Sequence, residues 1–211
     1  MFDTSIRRRI DPSLDRIALL LIKIGWSADG VTICGFLIGI CACIAITFQF
    51  YLLALILIGI NRLTDGLDGA IARKTSPTDI GGYLDIVLDM IFYSGVPFAF
   101  AIARPEFCLP ALFLIYSFVG TGGSFLAYAV ISAKRGTIAD HEGKKSFYYS
   151  IGLMEGAETI AFFVLFCLLP NYFSLLAWVF GALCWITTAI RISMAVFAFR
   201  NSPRSDVECT G

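Results

Sequence analysis

The chain has 211 residues, of which 58% are hydrophobic and only 15% charged, and its sixteen basic and sixteen acidic side chains give a formal net charge of zero. An ordinary soluble domain is roughly half apolar and about a quarter charged. A soluble fold of this length cannot bury so much apolar surface, so lipid must cover much of it, and a balanced charge offers no bulk attraction to nucleic acid. Seven cysteines form no CxxC pair and His141 is the single histidine. That argues against a zinc site and for cysteine as a small apolar residue.

Residues 1–30 read as an amphipathic, juxtamembrane segment. Arg7, Arg8 and Arg9 precede an apolar run, but Arg16 and Lys23 interrupt it and no small-residue cleavage site follows, which is unlike a signal peptide. Asp11 can cap a helix whose first position suits Pro12. Leu14, Ile17, Ala18, Leu21 and Ile24 then share one face, with Asp15, Arg16 and Lys23 elsewhere, as in a helix lying in the membrane interface.

Six hydrophobic spans follow, over 31–48, 51–72, 81–103, 110–133, 147–169 and 173–199. Each approaches the roughly 20 residues that a membrane-crossing helix needs. Lipid leaves backbone polar groups no partner, so the expected fold is an all-α integral membrane protein with six transmembrane helices over 31–200 and a tail over 201–211. Lysine and arginine gather in the N-terminal segment, at Arg73 and Lys74, over 134–145 and in the tail, whereas the opposite loops hold only Arg104. The positive-inside rule places both termini and those basic loops in the cytoplasm. Gly35 with Gly39, and Gly152 with Gly156, are small-xxx-small pairs that suit close helix packing.

The second and third spans carry the informative acids. Asp65 and Asp68 are three residues apart, Asp85 and Asp89 four apart, so each pair occupies one helix face. At about 1.5 Å of rise per residue, Asp65 and Asp68 lie roughly 12 and 8 Å from Arg73, and Asp85 and Asp89 roughly 6 and 12 Å from Gly81. Antiparallel neighbours joined by a short loop bring all four to one level, just inside the cytoplasmic edge of the bilayer. Intramembrane acids crowded together need compensation, and divalent cations are the natural source. An all-oxygen ligand set favours Mg²⁺, Mn²⁺ or Ca²⁺, and two such ions suit a pyrophosphate. Gly66 and Gly69 leave the backbone open beside the acids, and Arg73 can present a planar fork to phosphate. The competing structural reading pairs the acids with Arg62, Arg73 and Lys74.

These residues resemble a known signature. Asp65-x2-Asp68-Gly69-x2-Ala72-Arg73-x7-Gly81-x3-Asp85-x3-Asp89 is similar, at all eight fixed positions, to that of the class I CDP-alcohol phosphatidyltransferases. The run from Trp26 to Thr32 is similar to the Pro-Asn-x-x-Thr segment that precedes the first span in that family, without the Pro-Asn. The resemblance implies a six-helix homodimer whose polar cavity faces the cytoplasm, in a bacterial inner membrane. It implies two Mg²⁺ or Mn²⁺ ions on Asp65, Asp68, Asp85 and Asp89, with Asp89 also the base for the acceptor hydroxyl. Gly69 and Arg73, with Asp68, match positions that contact the CDP moiety.

The implied reaction moves a phosphatidyl group from CDP-diacylglycerol to a small alcohol with release of CMP, in phospholipid biosynthesis. Two alternatives remain: transfer of a CDP-linked head group to diacylglycerol, and a transporter that uses its intramembrane carboxylates. The acceptor alcohol is open. Candidates for its pocket are Lys144, Lys145, Glu155, Glu158 and Arg191, the last at the depth of the aspartates. Lys144 and Lys145 also suit positive-inside or anionic-lipid roles, and the two glutamates also suit a pair with Arg191.

Overall fold

A computed structural model of the chain describes residues 14–135 and 156–201. Asp11, Pro12, His141, Lys144, Lys145, Gly152 and Glu155 lie outside the described residues, as does most of the tail. Within them the secondary structure is helical, with no strand.

The first described residues, 14–23, are helical (α1) and end in a Schellman turn. Gly25 adopts φ +89°, its N–H donates to the Ile22 carbonyl at 3.0 Å, and the Trp26 N–H donates to that of Leu21 at 3.0 Å. Ser27 then caps α2 (Ala28–Thr47), its hydroxyl accepting from the Gly30 N–H at 3.1 Å. The same turn recurs at the end of α2 with Gln49 as the left-handed residue, at φ 62°. There the Gln49 N–H reaches the Ile46 carbonyl and the Phe50 N–H that of Ala45, both at 2.8 Å. The chain therefore reverses within three residues into α3 (Tyr51–Lys74). Thr78 caps α4 (Asp79–Ala103), accepting from the Gly81 N–H at 2.9 Å. A 3₁₀ turn over Pro105–Phe107 leads to α5 (Cys108–Lys134). The chain is described again in α6 (Gly156–Leu168), a second 3₁₀ turn over Pro170–Tyr172, and α7 (Phe173–Asn201).

α2 is the central element, packing against both α3 and α4; α5 packs on α7 and α4, and α6 on α3. Lipid removes the hydrophobic drive for association, so small residues and dense side-chain packing must hold such helices together. Both are present. A Cβ on Gly35 would collide with Thr64, and one on Gly39 would lie 2.8 Å from the Phe92 ring, so these two glycines set the approach of α3 and α4 to α2. Deeper in the bundle Phe92, Phe100, Phe163, Phe166, Phe173 and Phe180 are all fully buried. Phe100 stacks on Phe173 at 4.4 Å and Phe162 on Phe180 at 4.3 Å between ring centroids.

Among the described residues, four helices are long and apolar enough to cross a membrane: Ala28–Thr47, Asp79–Ala103, Pro105–Lys134 and Pro170–Arg200. The span expected over 51–72 does not reach that standard, and the one expected over 147–169 lies partly outside the described residues, which resume at Gly156. α3 has 24 residues, but every 18-residue stretch of it contains Arg62, Asp65 and Asp68. α6 is described over 13 residues.

The apolar face expected for the N-terminal segment divides in two. Leu14 and Ala18 are buried against protein, Ala18 in a small cluster with Val31, Ala70 and Ile71, whereas Ile17 and Ile24 point outward at 45% and 73% exposure. An ion pair of 3.2 Å between Asp15 and Lys74 ties the same face of α1 to the end of α3. Gly66 makes room for this contact, since a Cβ there would meet Leu14 Cδ1 at 3.0 Å. Its bare backbone thus accommodates α1.

Candidate functional site

Asp65 and Asp68 project from α3, and Asp85 and Asp89 from α4. The two helices pack on α2 and scarcely on each other. Their separation opens a cleft floored by Thr32, Gly35 and Phe36 of α2 and walled by the four aspartates. The space between the walls is about 20 Å³, which suits a water- or ion-sized occupant.

One carboxylate oxygen from each of Asp65, Asp85 and Asp89 lies within 4.8 Å of the other two. Asp68 lines the same cleft but is turned toward its floor, where its Oδ2 accepts from the Thr32 hydroxyl at 2.6 Å. It is the most enclosed of the four, at 8% exposure. Hard divalent cations take such all-oxygen donor sets, with Mg²⁺–O distances near 2.1 Å and Ca²⁺–O near 2.4 Å. Two oxygens on one ion are at most about 4–5 Å apart by those lengths. The three carboxylates therefore fit a divalent cation with little side-chain movement.

A cation of the chain's own already enters this group. Arg62 Nη2 donates to Asp89 Oδ1 at 2.7 Å and Nη1 to Oδ2 at 3.3 Å, and Asp65 Oδ2 is 3.7 Å from Nη1. The remaining guanidinium contacts are also specific. Nε donates to Asn61 Oδ1 at 2.9 Å, Nη1 donates to the Tyr93 hydroxyl at 3.1 Å, and Cζ lies 5.2 and 5.4 Å from the Phe92 and Tyr93 ring centroids. Asn61 is fixed in turn by donating to the Gly35 carbonyl at 2.8 Å. The structural reading of the acids thus holds for Arg62 with Asp89 and Asp65. It fails for Lys74, whose partner is Asp15.

On the other side of α4 lies a cavity of about 480 Å³, bounded by α4, α5, α6 and α7. Asp89 and Tyr93 contribute to its wall, and Asp89 is the residue it shares with the acidic cleft. Gly156 and Thr159 line it from α6 and Arg191 from α7. Arg191 Nη1 donates to the Thr121 carbonyl at 3.2 Å and its Cζ lies 5.7 Å from the Phe125 ring centroid. Glu158 sits half-buried in the first turn of α6.

The fold therefore gathers Asp65, Asp68, Asp85 and Asp89 and places Arg191 across a cavity from Asp89. Gly69 and Arg73 adjoin the cluster on α3. Arg73 is exposed and folds back over Gly69, its Nη1 3.4 Å from where a Cβ would stand. Asn61, Tyr93 and Thr32 belong to the site without having been assigned a place in it from the sequence, which offered Arg62 only as an ion-pair partner of the acids. An arginine three residues from Asp65, on the same helix face, was the available signal for Arg62. Nothing local marks Asn61 or Tyr93.

A profile of the CDP-alcohol phosphatidyltransferase family matches residues 25–192. The Escherichia coli protein named inner membrane protein YnjF is 49% identical over 193 residues, covering 91% of this chain and 94% of that one. An archaetidylinositol phosphate synthase of Pyrococcus horikoshii is 33% identical over 100 residues, 47% of this chain and 53% of that one. Among solved structures, the phosphatidylinositol phosphate synthase PgsA1 of Mycobacterium tuberculosis with CDP-DAG bound superposes with a TM-score of 0.65 over 87% of this chain and 93% of that one. At 20% identity the likeness establishes a common fold. A second PgsA1 structure, in complex with manganese and citrate, superposes with a TM-score of 0.62 at 19% identity, over 86% of this chain and 88% of that one. The family signature across α3 and α4 and the profile match over most of the chain agree: the chain belongs to the CDP-alcohol phosphatidyltransferase family.

Proposed function

We propose that this protein is a metal-dependent enzyme of a bacterial inner membrane that transfers a phosphatidyl group from CDP-diacylglycerol to a phosphorylated alcohol, releasing CMP. The observation that carries this reading is the position of Asp89, between an ion-sized acidic cleft and a larger cavity containing Arg191. The names of relatives support this donor and acceptor class: one structure of PgsA1 has CDP-DAG bound, and two relatives are named as synthases of inositol phosphate lipids. The protein named as an inner membrane protein, and four apolar helices, support the location.

In this reading the domain is 31–200, with α3 and α6 completing six spans, and the protein forms a homodimer. The basic loops, both termini, the 1–30 segment and the 201–211 tail face the cytoplasm. Asp65, Asp68, Asp85 and Asp89 hold two Mg²⁺ or Mn²⁺ ions, which when bound offset the charge on the pyrophosphate and on departing CMP. Gly69 and Arg73, with Asp68, receive the CDP moiety at the end of α3. Arg191 receives the acceptor's phosphate, its fork matching two phosphate oxygens. Lys144, Lys145, Glu155 and Glu158 are the further candidates for acceptor binding, the first three outside the described residues. Asp89 accepts the acceptor's hydroxyl proton as its oxygen attacks the lipid-side phosphorus. The bond from that phosphorus to the CMP oxygen breaks, CMP leaves with the bonding pair, and the new lipid retains one phosphodiester.

The test is CMP release by purified protein given CDP-diacylglycerol, Mg²⁺ or Mn²⁺, and a panel of serine, glycerol phosphate, inositol phosphate and choline. Release with a phosphorylated alcohol, abolished by EDTA and restored by metal, is the expected result. Release with serine or choline alone would redirect the acceptor. Activity only with CDP-choline and diacylglycerol would reverse donor and acceptor. No release under any of these conditions would end the enzyme reading.

A further inference from the structure

We propose that Arg62 is a resident cation of the acidic cleft that competes with divalent metal for Asp89, so that metal loading requires the Arg62–Asp89 pair to open. The inference rests on the metal-dependent reading given above. Its basis is the geometry around Asp89. Both carboxylate oxygens face the guanidinium, at 2.7 and 3.3 Å, while one of them also belongs to the trio within 4.8 Å of one another. A metal ion drawing on that oxygen meets a full positive charge already seated there. Two like charges sharing one carboxylate in a partly desolvated cleft repel each other.

The surroundings of Arg62 fit a group with two places to rest. Nε and Nη1 keep partners outside the acids, Asn61 Oδ1 at 2.9 Å and the Tyr93 hydroxyl at 3.1 Å. The guanidinium also lies near the Phe92 and Tyr93 rings. Releasing Asp89 therefore leaves the arginine held by Asn61, Tyr93 and the rings. Before metal arrives, the same pair compensates a carboxylate that would otherwise stand among like charges. Arg62 is thus a positioning residue: it holds Asp89 on the wall between cleft and cavity and sets how readily a cation takes it over.

The experiment is Mn²⁺ binding to detergent-solubilised full-length protein, followed by the electron paramagnetic resonance of free Mn²⁺. Arg62→Gln, which removes the charge, is expected to bind at least tenfold more tightly than wild type. Arg62→Lys, which keeps the charge and loses the paired contact, is expected to bind a few-fold more tightly and provides the reading if Arg62→Gln does not fold. In an Asp89→Asn background the gain from Arg62→Gln should fall to less than half, because the contested ligand is gone. Equal or weaker binding by both Arg62 variants overturns the competition while leaving the metal site standing. An undiminished gain in the Asp89→Asn background also overturns it, assigning the effect to diffuse charge. Absence of Mn²⁺ binding in every variant, wild type included, overturns the competition and the metal-dependent reading together.

Discussion

Arg62 grips Asp89 with both terminal nitrogens, and in doing so bridges α3 and α4 where their backbones scarcely meet. Asp89 is thereby fixed at the boundary of the cleft and the cavity, the one described residue that lines both.

Asp89→Asn keeps the shape of the side chain and an oxygen for Arg62 but loses the charge and the proton-accepting capacity. Turnover measured as CMP release is expected to fall by at least about a hundredfold, within the range for loss of a general base. The thermal midpoint in detergent should move by only a few degrees. Turnover near wild type would remove Asp89 from that role.

Thr32 donates to Asp68 at 2.6 Å from the helix that floors the cleft. Hydrogen bonds to charged groups contribute about 1.5–3 kcal/mol. Thr32→Val is therefore expected to weaken Mn²⁺ binding or kcat/KM by roughly ten- to a hundredfold, and Thr32→Ser to restore most of it. Wild-type values in Thr32→Val would mean that Asp68 is oriented without this hydroxyl.

Gly39→Ala places a methyl group 2.8 Å from the Phe92 ring and 3.2 Å from Asn61 Nδ2. The ring is fully buried, so relief requires α2 and α4 to separate. Overpacking of this kind costs about 1–3 kcal/mol. A lowered thermal midpoint and a lowered kcat should appear together, since the same contact sets the width of the cleft. Gly82→Ala, where a Cβ would meet nothing within 4 Å, serves as the control.

Arg191→Gln tests the division between cleft and cavity. The KM for a phosphorylated acceptor is expected to rise by at least about tenfold, as for loss of a charge-assisted pair. The KM for CDP-diacylglycerol should stay within about twofold. A rise confined to the lipid substrate would place Arg191 on the donor side.

Chelation by EDTA should abolish CMP release, with Mg²⁺ or Mn²⁺ restoring it and Zn²⁺ restoring little, because the cleft offers oxygen ligands alone. Full activity after exhaustive chelation would contradict a metal role for the four aspartates.

The sequence alone carries the helical class, most helix limits and the family. Apolar runs long enough to cross lipid admit helix and little else, and the expected 51–72 and 81–103 became Tyr51–Lys74 and Asp79–Ala103. Spacing within one helix also told which acids share a face, because three- and four-residue intervals are local geometry. The tertiary structure decided what lies between those faces. α3 and α4 are consecutive, yet α2 holds them apart, because Gly35 and Gly39 allow α2 to seat against both. That arrangement leaves an ion-sized gap between the acids and brings Thr32 to Asp68 across 36 positions, and Arg62 to Asp89 across 27. It also turned Leu14 and Ala18 of α1 onto protein and gave Gly66 to Leu14. Contacts of that kind depend on how close two helix axes come, a distance fixed by side-chain volume at their crossing and not by the periodicity of either helix.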